Sequence, residues 1–360
     1  MAVSNERTRE VQVVKNVWRV QTAQRVQRIR GFVRLGLVGT FTCLILTCIP
    51  PEQGKSLAQA SQDEPIRLKA TLVQVPVIVS DSGGRYIVDL KKSDFKLLED
   101  GVPQQIDFFA PVDQAFTVAL LLDSSGSTQD QLDQIKAAAL AFVNNLRPQD
   151  RVLIMNFDDS VHVQCDFTSD RDALKRAIEN IQPGEFTQVY EAIYTAVWER
   201  LRKIEGRRAV IVFTDGIDTA SSEIDDEDTL DAIVETEGVL VYPIRYSTRA
   251  DVERKLLRRK DYQGQTGEER LKVLDRTYRE ADEYLDQLAE LSGSVLERAD
   301  TLRDLNGAFA RIAAELRQQY LLGYYPSNSK QKEDTDRKIR VQVTRTGAKV
   351  RARPSYRVTQ

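Results

Sequence analysis

The sequence predicts an α/β fold: a doubly wound, mostly parallel sheet joined to a small β-sandwich-like module built from N- and C-terminal strands. From residue 116 onward, apolar strand-like runs alternate with amphipathic helical segments, which is typical of parallel sheets with helices on both faces. Short β-type runs separated by turn residues precede this region, and others close the chain. Together these patterns indicate a central α/β domain flanked by β structure.

Residues 1–60 differ in composition from the rest of the chain. A basic lead is followed by the uncharged run LGLVGTFTCLILTCI, residues 35–49. This run is short for a membrane-spanning helix, which needs about 20 apolar residues, but it suits the apolar core of an export signal. Residues 58–60 offer a small-x-small cleavage site. We predict that residues 1–60 are a signal peptide, with an uncleaved membrane anchor as the alternative.

The predicted export signal indicates the compartment of the protein, and the composition of the remaining chain limits its partners. We predict a periplasmic or cell-envelope protein, with secretion as an alternative and with membrane contact only through an uncleaved N-terminal segment. Residues 61–360 carry nine more acidic than basic residues, which argues against nucleic-acid binding. Cys165 is the only cysteine in that part of the chain, so we expect no internal disulfide.

The first β-rich region, residues 61–112, is predicted to be an N-terminal β module. ATLVQVPVIVSDSGGRYIVDL suggests two strands around the turn residues 81–84. FKLLEDGVPQQIDFFA suggests two more around the Asp100-Gly101 turn. Four short strands make a small sheet or half a sandwich.

The central domain is predicted to span residues 113–326. FTVALLLD, residues 116–123, is a continuous apolar run of the kind that is buried on both faces of a parallel sheet. The following helix has one apolar side and is stopped by Pro148. The predicted strands are 116–123, 151–157, 161–167, 207–215, 239–246 and 295–299, and the predicted helices are 129–146, 170–181, 188–204, 228–237 and 301–319.

Two further segments complete the predicted architecture. The charged stretch at about 249–290 suggests a helical insertion over the sheet edge, and we favour a solvated helical pair over a partner-binding or oligomer arm. Residues 327–360 suggest a linker and a β-hairpin that turns at 346–348. Because an isolated hairpin is marginally stable, we expect these strands to pair with those of 66–110.

Polar residues follow the predicted strands where ligands bind in such sheets, outside the strands' carboxyl ends. Asp123, Ser125 and Ser127 have the spacing D-x-S-x-S, which places one carboxylate and two hydroxyls on the same side of an extended turn. Asp215 ends a second apolar strand, and Thr187 begins a helix. A set made only of oxygens matches a hard cation, so we predict a Mg²⁺ site, with Mn²⁺ or Ca²⁺ as alternatives.

This pattern resembles the von Willebrand factor A domain with its metal-ion-dependent adhesion site. The resemblance rests on DSSGS at 123–127, Thr187 and TDG at 214–216, in the family's order. It implies that the Ser125, Ser127 and Thr187 hydroxyls reach the metal, while the two aspartates hold it directly or through water. The chain departs from the family at 185–186, where Glu and Phe precede the threonine and the family usually has glycine.

The whole chain also resembles a group of exported bacterial proteins related to this domain. The segments DFKLLEDGVPQQIDFF and ELRQQYLLGYYPSN carry that resemblance. This second resemblance indicates an architecture and implies little about a partner. From the first resemblance and the chemistry of the site, we predict a metal-dependent, adhesion-type module that captures an Asp or Glu side chain of a partner protein. The alternative is a metal-free structural scaffold or assembly protein of the cell envelope.

Three other interpretations of the same residues are open. Ser127 or Thr128 could simply cap the following helix. A hydrolase would need a base beside Ser125 or Ser127, and His162, the only histidine, falls in a strand predicted to lie away from that loop. The acidic run 215–232 lacks the spacing of a helix-loop-helix calcium site and is better explained as a solvated loop. We therefore predict no enzyme activity.

Overall fold

The computed structural model describes residues 72–112, 114–258, 266–327 and 335–357. The predicted signal segment, residues 1–60, lies outside these ranges. None of the helices in the described ranges combines the length and apolar character needed to cross a bilayer.

The described chain contains fourteen strands and seven α-helices. The strands are β1 Val73–Ser80, β2 Phe95–Glu99, β3 Val102–Gln104, β4 Phe108–Ala110, β5 Phe116–Asp123, β6 Arg151–Phe157, β7 Val161–Thr168, β8 Arg207–Thr214, β9 Val239–Arg245, β10 Glu297–Arg298, β11 Tyr320–Tyr324, β12 Asp336–Val343, β13 Lys349–Ala352 and β14 Ser355–Arg357. The helices are α1 Leu132–Asn144, α2 Arg171–Glu179, α3 Val189–Tyr194, α4 Asp226–Glu235, α5 Arg249–Arg258, α6 Gly267–Ser292 and α7 Leu302–Arg317. Helix α3 continues as a π-helical segment, Thr195–Leu201.

A six-stranded sheet forms the centre of the molecule, with strand order β10-β9-β8-β5-β6-β7. All neighbouring pairs are parallel except β6 and β7. Strand β5 is buried along its whole length, as its continuous apolar sequence requires. Because β5 and β8 are adjacent and parallel, their carboxyl ends, Asp123 and Thr214, open onto the same edge of the sheet.

Successive residues of each central strand point to opposite faces, and each face is covered by three α-helices. Leu120 and its alternate neighbours pack with α1, α2 and α7. Leu121 and its alternate neighbours pack with α3, α4 and the second half of α6. Helices therefore lie on both sides of a mostly parallel sheet, and the predicted doubly wound fold is confirmed.

Two four-stranded antiparallel sheets, in the orders β13-β1-β11-β4 and β14-β12-β2-β3, share a second apolar core. Strand β1 pairs with β13 and β2 pairs with β12, so both ends of the described chain contribute to one sandwich, as the sequence predicted. Inside it, the carboxylate of Glu99 accepts hydrogen bonds from the hydroxyls of Tyr324 at 2.6 Å and Tyr356 at 2.8 Å. Arg337 completes the network by donating to Glu99 at 3.1 Å.

The predicted C-terminal hairpin is wrong. Strand β12 pairs with β2 and β14, whereas β13 pairs with β1, so the turn at 344–348 carries the chain from one sheet of the sandwich to the other. Strand β11 also joins the sandwich, although it falls inside the predicted 113–326 domain. Two consecutive short strands do not reveal from their sequence whether they pair with each other or with distant partners.

The predicted insertion at about 249–290 corresponds to α5 and α6, but only part of it is additional to the core. Helix α6 runs unbroken for 26 residues. In its second half, Tyr284, Leu285 and Leu288 are buried against the central sheet. That half is therefore an integral layer of the fold rather than a cover over the sheet edge.

Arg353 joins the sandwich to the central domain. Its side chain is 1% exposed and donates to the backbone carbonyls of Ile233, Val234 and Thr236 at 2.9–3.1 Å. These carbonyls belong to the last turn of α4 and the residue after it, where a cation is favoured by the helix dipole. Burial lowers the pKa of Arg353 to about 10.

Helix α6 ends at Gly293, where φ is +86°, against the end of β13 and Arg353. A Cβ at Gly293 would lie 2.4 Å from the backbone nitrogen of Arg353. We expect Gly293→Ala to lower the free energy of unfolding by about 2–5 kcal/mol, since it adds left-handed backbone strain to a clash with neighbouring backbone. Urea unfolding followed by circular dichroism would measure the change.

Gly347 is the matched control. It has a similar φ of +75°, but a Cβ there meets no atom within 4 Å. Gly347→Ala should therefore lose only about 1–2 kcal/mol from backbone strain. Equal losses in the two variants would contradict the close approach of α6 to the sandwich.

Candidate metal site

The loop after β5 folds its polar side chains around the carboxylate of Asp123. The backbone N–H of Ser125 donates to Asp123 Oδ1 at 3.0 Å. The Thr128 hydroxyl donates to the backbone carbonyls of Asp123 at 3.0 Å and Ser125 at 3.1 Å, which closes the turn. The hydroxyl oxygens of Ser125 and Ser127 then lie 2.9 Å apart.

The helix-capping explanation of this loop is wrong. Helix α1 begins only at Leu132, after the short 3-10 turn Gln129–Gln131. Thr128 precedes that turn but makes no side-chain capping hydrogen bond, because its hydroxyl is directed back to the carbonyls of the loop. The Thr128 hydroxyl therefore closes the loop and does not cap the helix.

The end of β8 brings the second carboxylate to the same place. The Thr214 hydroxyl donates to Asp123 Oδ2 at 2.7 Å, which ties the ends of the two strands together. The next residue, Asp215, accepts a hydrogen bond from the N–H of Ile217 at 3.1 Å. The nearby Ser127 hydroxyl acts to lower the pKa of Asp215. The loops that follow β5 and β8 are thus joined through side chains.

Thr187 reaches the same opening from a third loop. Its backbone N–H donates to the Thr219 hydroxyl at 2.9 Å, and its carbonyl accepts from the N–H groups of Thr219 at 2.9 Å and Ala220 at 3.0 Å. The side chain of Thr187 lines one small pocket together with Ser127 and Asp215. The structure therefore brings together all five residues predicted from the sequence.

The two carboxylates lie in an environment that disfavours negative charge. Asp123 is 0% exposed and Asp215 is 3% exposed. Burial, together with the charge on Asp215, raises the pKa of Asp123 to about 7. Burial likewise raises the pKa of Asp215, against the opposing effect of the hydrogen bond from Thr248. Two buried acids this close favour proton uptake or the binding of a cation.

Cation binding here would depend on hydroxyls as well as carboxylates. Within the described ranges, no cluster of three or more His, Cys, Asp and Glu side chains is arranged to hold a metal ion. The candidate site has two carboxylates, and its remaining oxygens belong to Ser125, Ser127 and Thr187. Such a set resembles the oxygen-rich surroundings of Mg²⁺, which is bound through one or two carboxylates and neutral oxygens.

The helical segment α5–α6 forms one wall of the pocket, which the sequence did not predict. The Thr248 hydroxyl, just before α5, donates to Asp215 Oδ2 at 2.5 Å and lies 2.6 Å from the hydroxyl of Tyr278 on α6. Val252, Leu274 and Tyr278 line the pocket and belong to one buried cluster. The insertion thus contacts the site directly, which contradicts its interpretation as a merely solvated helical pair.

His162 also lies closer to the loop than predicted. Its Nε2 is 3.0 Å from Asp158 Oδ1, and Asp158 Oδ2 accepts a hydrogen bond from the Ser124 hydroxyl at 3.0 Å. The histidine therefore reaches the residue between Asp123 and Ser125. The link runs through Asp158, and it leads to Ser124 rather than to the Ser125 and Ser127 hydroxyls.

Residues 118–217 match the model of the von Willebrand factor type A domain. A UPF0353 protein of Nocardia farcinica is 26% identical over 221 residues, which are 56% of this chain and 63% of that protein. The chain thus spans less than two thirds of the length of this relative.

Two solved structures are similar at low identity. The conserved hypothetical protein BatB of Bacteroides thetaiotaomicron is 21% identical over 56% of this chain and 100% of its own, with a TM-score of 0.39. A von Willebrand factor type A protein of Catenulispora acidiphila is 11% identical over 81% of this chain and 71% of its own, with a TM-score of 0.43.

The segment that matches the family model runs from β5 to the loop after β8. It contains Asp123, Ser125, Ser127, Thr187 and Asp215. This chain therefore contains a von Willebrand factor type A domain over residues 118–217.

Proposed function

We propose that this protein binds a partner protein through a divalent cation at the carboxyl ends of β5 and β8. The observation that carries the proposal is the pair of buried carboxylates, Asp123 and Asp215, surrounded by hydroxyls and opening to the surface beside Thr187. A cation between the acids would offset the burial and repulsion that raise their pKa values.

The residues present suit a hard cation. Ser125, Ser127 and Thr187 would hold it by their hydroxyls, and Asp123 and Asp215 would hold it directly or through water. We propose Mg²⁺ as the ion, with Mn²⁺ and Ca²⁺ as alternatives. When bound, the ion supplies a positive charge that accepts a carboxylate oxygen, so the partner would present an Asp or Glu side chain.

The surrounding residues fix the orientation of the two acids. Asp123 accepts one hydrogen bond on each oxygen, from the N–H of Ser125 and the hydroxyl of Thr214. Asp215 is held in the same way by Ile217 and Thr248. Each carboxylate is therefore preorganised before it meets a ligand, which lowers the entropic cost of binding.

Access to the site is from the side of the exposed residue Glu185, which lines the pocket with Ser127. The carboxylate of Glu185 repels an acidic partner when the ion is absent, so partner binding should depend strongly on the ion. We further propose export to the periplasm or cell envelope, or secretion, on the strength of residues 1–60, and a binding role rather than catalysis. A metal-free scaffold of the envelope is the competing proposal.

We expect residues 61–360 to bind Mn²⁺, and we expect Asp123→Ala to weaken this binding by more than about 100-fold, because the variant loses a ligand carboxylate. Isothermal titration calorimetry with Mn²⁺ and then Mg²⁺ measures both affinities. Asp130→Ala is the matched control, since Asp130 is an exposed acid in the next turn of the same segment. Absence of binding to the unsubstituted chain would favour the metal-free scaffold.

Metal binding should weaken as the pH falls. Burial and Asp215 raise the pKa of Asp123 from 3.8 to about 7, so protons compete with the cation for this carboxylate. We expect the Mn²⁺ affinity to fall about tenfold from pH 8 to pH 6, measured by calorimetry. An affinity that is unchanged between these two pH values would contradict the shifted pKa.

In the metal-free protein, the free energy of unfolding should follow the opposite trend to the metal affinity and decrease as the pH rises. Its folded state keeps the Asp123 proton up to about pH 7, whereas an unfolded Asp releases it near its ordinary pKa of 3.8. The folded state therefore binds more protons between these values, and the contribution of Asp123 to the free energy of unfolding decreases as the pH rises through this window.

The partner chemistry can be tested with a small carboxylate. We expect Mn²⁺-loaded protein to broaden the methyl proton resonance of acetate but not that of acetamide, because only the charged oxygen is attracted to the bound ion. The Asp123→Ala variant is the control for free Mn²⁺. Equal broadening of both probes would argue against recognition of an acidic side chain.

A further inference from the structure

We propose that the turn between β6 and β7, residues 158–160, positions Thr187 relative to the D-x-S-x-S loop, with Asp159 as the positioning residue. The inference rests on the proposed metal-binding function and extends it to residues outside the ligand set. It follows from hydrogen bonds that connect the turn to both ligand loops.

Asp159 holds the loop that precedes Thr187. Its Oδ1 accepts a hydrogen bond from the backbone N–H of Phe186 at 2.9 Å, and its Oδ2 lies 3.4 Å from the N–H of Glu185. One carboxylate thus engages two consecutive amides immediately before the threonine. These are the two positions at which this chain departs from the glycines usual in the family.

Asp158, the preceding residue, holds the other ligand loop. Its Oδ2 accepts from the hydroxyl of Ser124, and the N–H of Ser124 donates to the carbonyl of Phe157 at 3.0 Å. Ser124 lies between Asp123 and Ser125, so its side chain is directed away from the candidate ligands and toward the turn. Adjacent acids of one turn therefore contact the two ligand loops.

The two ligand loops also contact each other directly. The N–H of Gly184 donates to the carbonyl of Ser124 at 2.8 Å, and the N–H of Gly126 donates to the carbonyl of Glu185 at 3.3 Å. A Cβ at Gly184 would lie 2.4 Å from the Cβ of Asp158. The chain therefore requires glycine at 184 for close packing against the turn. At positions 185 and 186, the backbone amides donate to Asp159.

This arrangement makes Asp159 a suitable residue to test. It is exposed, so its substitution leaves the core intact and leaves all five candidate ligands in place. Without its carboxylate, the Glu185 and Phe186 amides would turn to water and the loop carrying Thr187 would gain freedom. Holding the threonine in place would then cost conformational entropy when a metal binds.

We expect Asp159→Ala to weaken Mn²⁺ binding about tenfold in isothermal titration calorimetry, with an unchanged thermal unfolding temperature. Asp159→Asn should stay within about twofold of the unsubstituted chain, because its amide oxygen can still accept from the Phe186 N–H. Asp166→Ala is the matched control, an exposed acid of β7 that accepts from its neighbour Phe167. It should bind Mn²⁺ as the unsubstituted chain does.

The outcomes separate this inference from the proposed function. If the unsubstituted chain binds no Mn²⁺, both are wrong. If it binds Mn²⁺ and Asp159→Ala binds equally well, only the positioning role is wrong. If Asp159→Asn is weakened as much as Asp159→Ala, the effect comes from the charge of Asp159 rather than from its hydrogen bonds, and the positioning role is again overturned.

Discussion

Two carboxyl groups buried side by side constrain the rest of the central domain. Asp123 ends β5 and Asp215 directly follows the adjacent parallel strand β8, and burial opposes the charge on both. Hydroxyl and amide groups from several surrounding elements donate hydrogen bonds to the two acids. They include Thr214 beside the acids and Thr248 before α5. These donors converge on the two acids that follow the apolar runs of β5 and β8.

The sheet and the five oxygen-bearing residues could be predicted from the sequence because short local patterns indicate both. Continuous apolar runs mark buried parallel strands, and D-x-S-x-S lies directly after one of them. Thr248 and Tyr278 could not be found in this way, because neither belongs to a motif. Thr248 reaches Asp215 across 33 residues, and Tyr278 reaches Thr248 across 30. Asp159 was missed for the same reason, since its role depends on which loop happens to pass beside it.

The β module was also predicted only in part. Strand-like runs at both ends of the chain predicted a shared module, and β1 and β2 do pair with C-terminal strands. Their pairing was harder to predict, because β12 and β13 appear in the sequence as neighbours joined by a short turn. They belong to different sheets because each pairs with a strand from a distant part of the chain, β12 with β2 and β13 with β1.

The sandwich can form only after the C-terminal strands have been synthesised. Glu99 meets Tyr324 and Tyr356 across 225 and 257 positions, so the module stays incomplete until the last strands have been synthesised. Every strand of the central sheet lies between β4 and β11 and is complete earlier. All strands of the central sheet are therefore available for pairing before the outer strands can complete the sandwich.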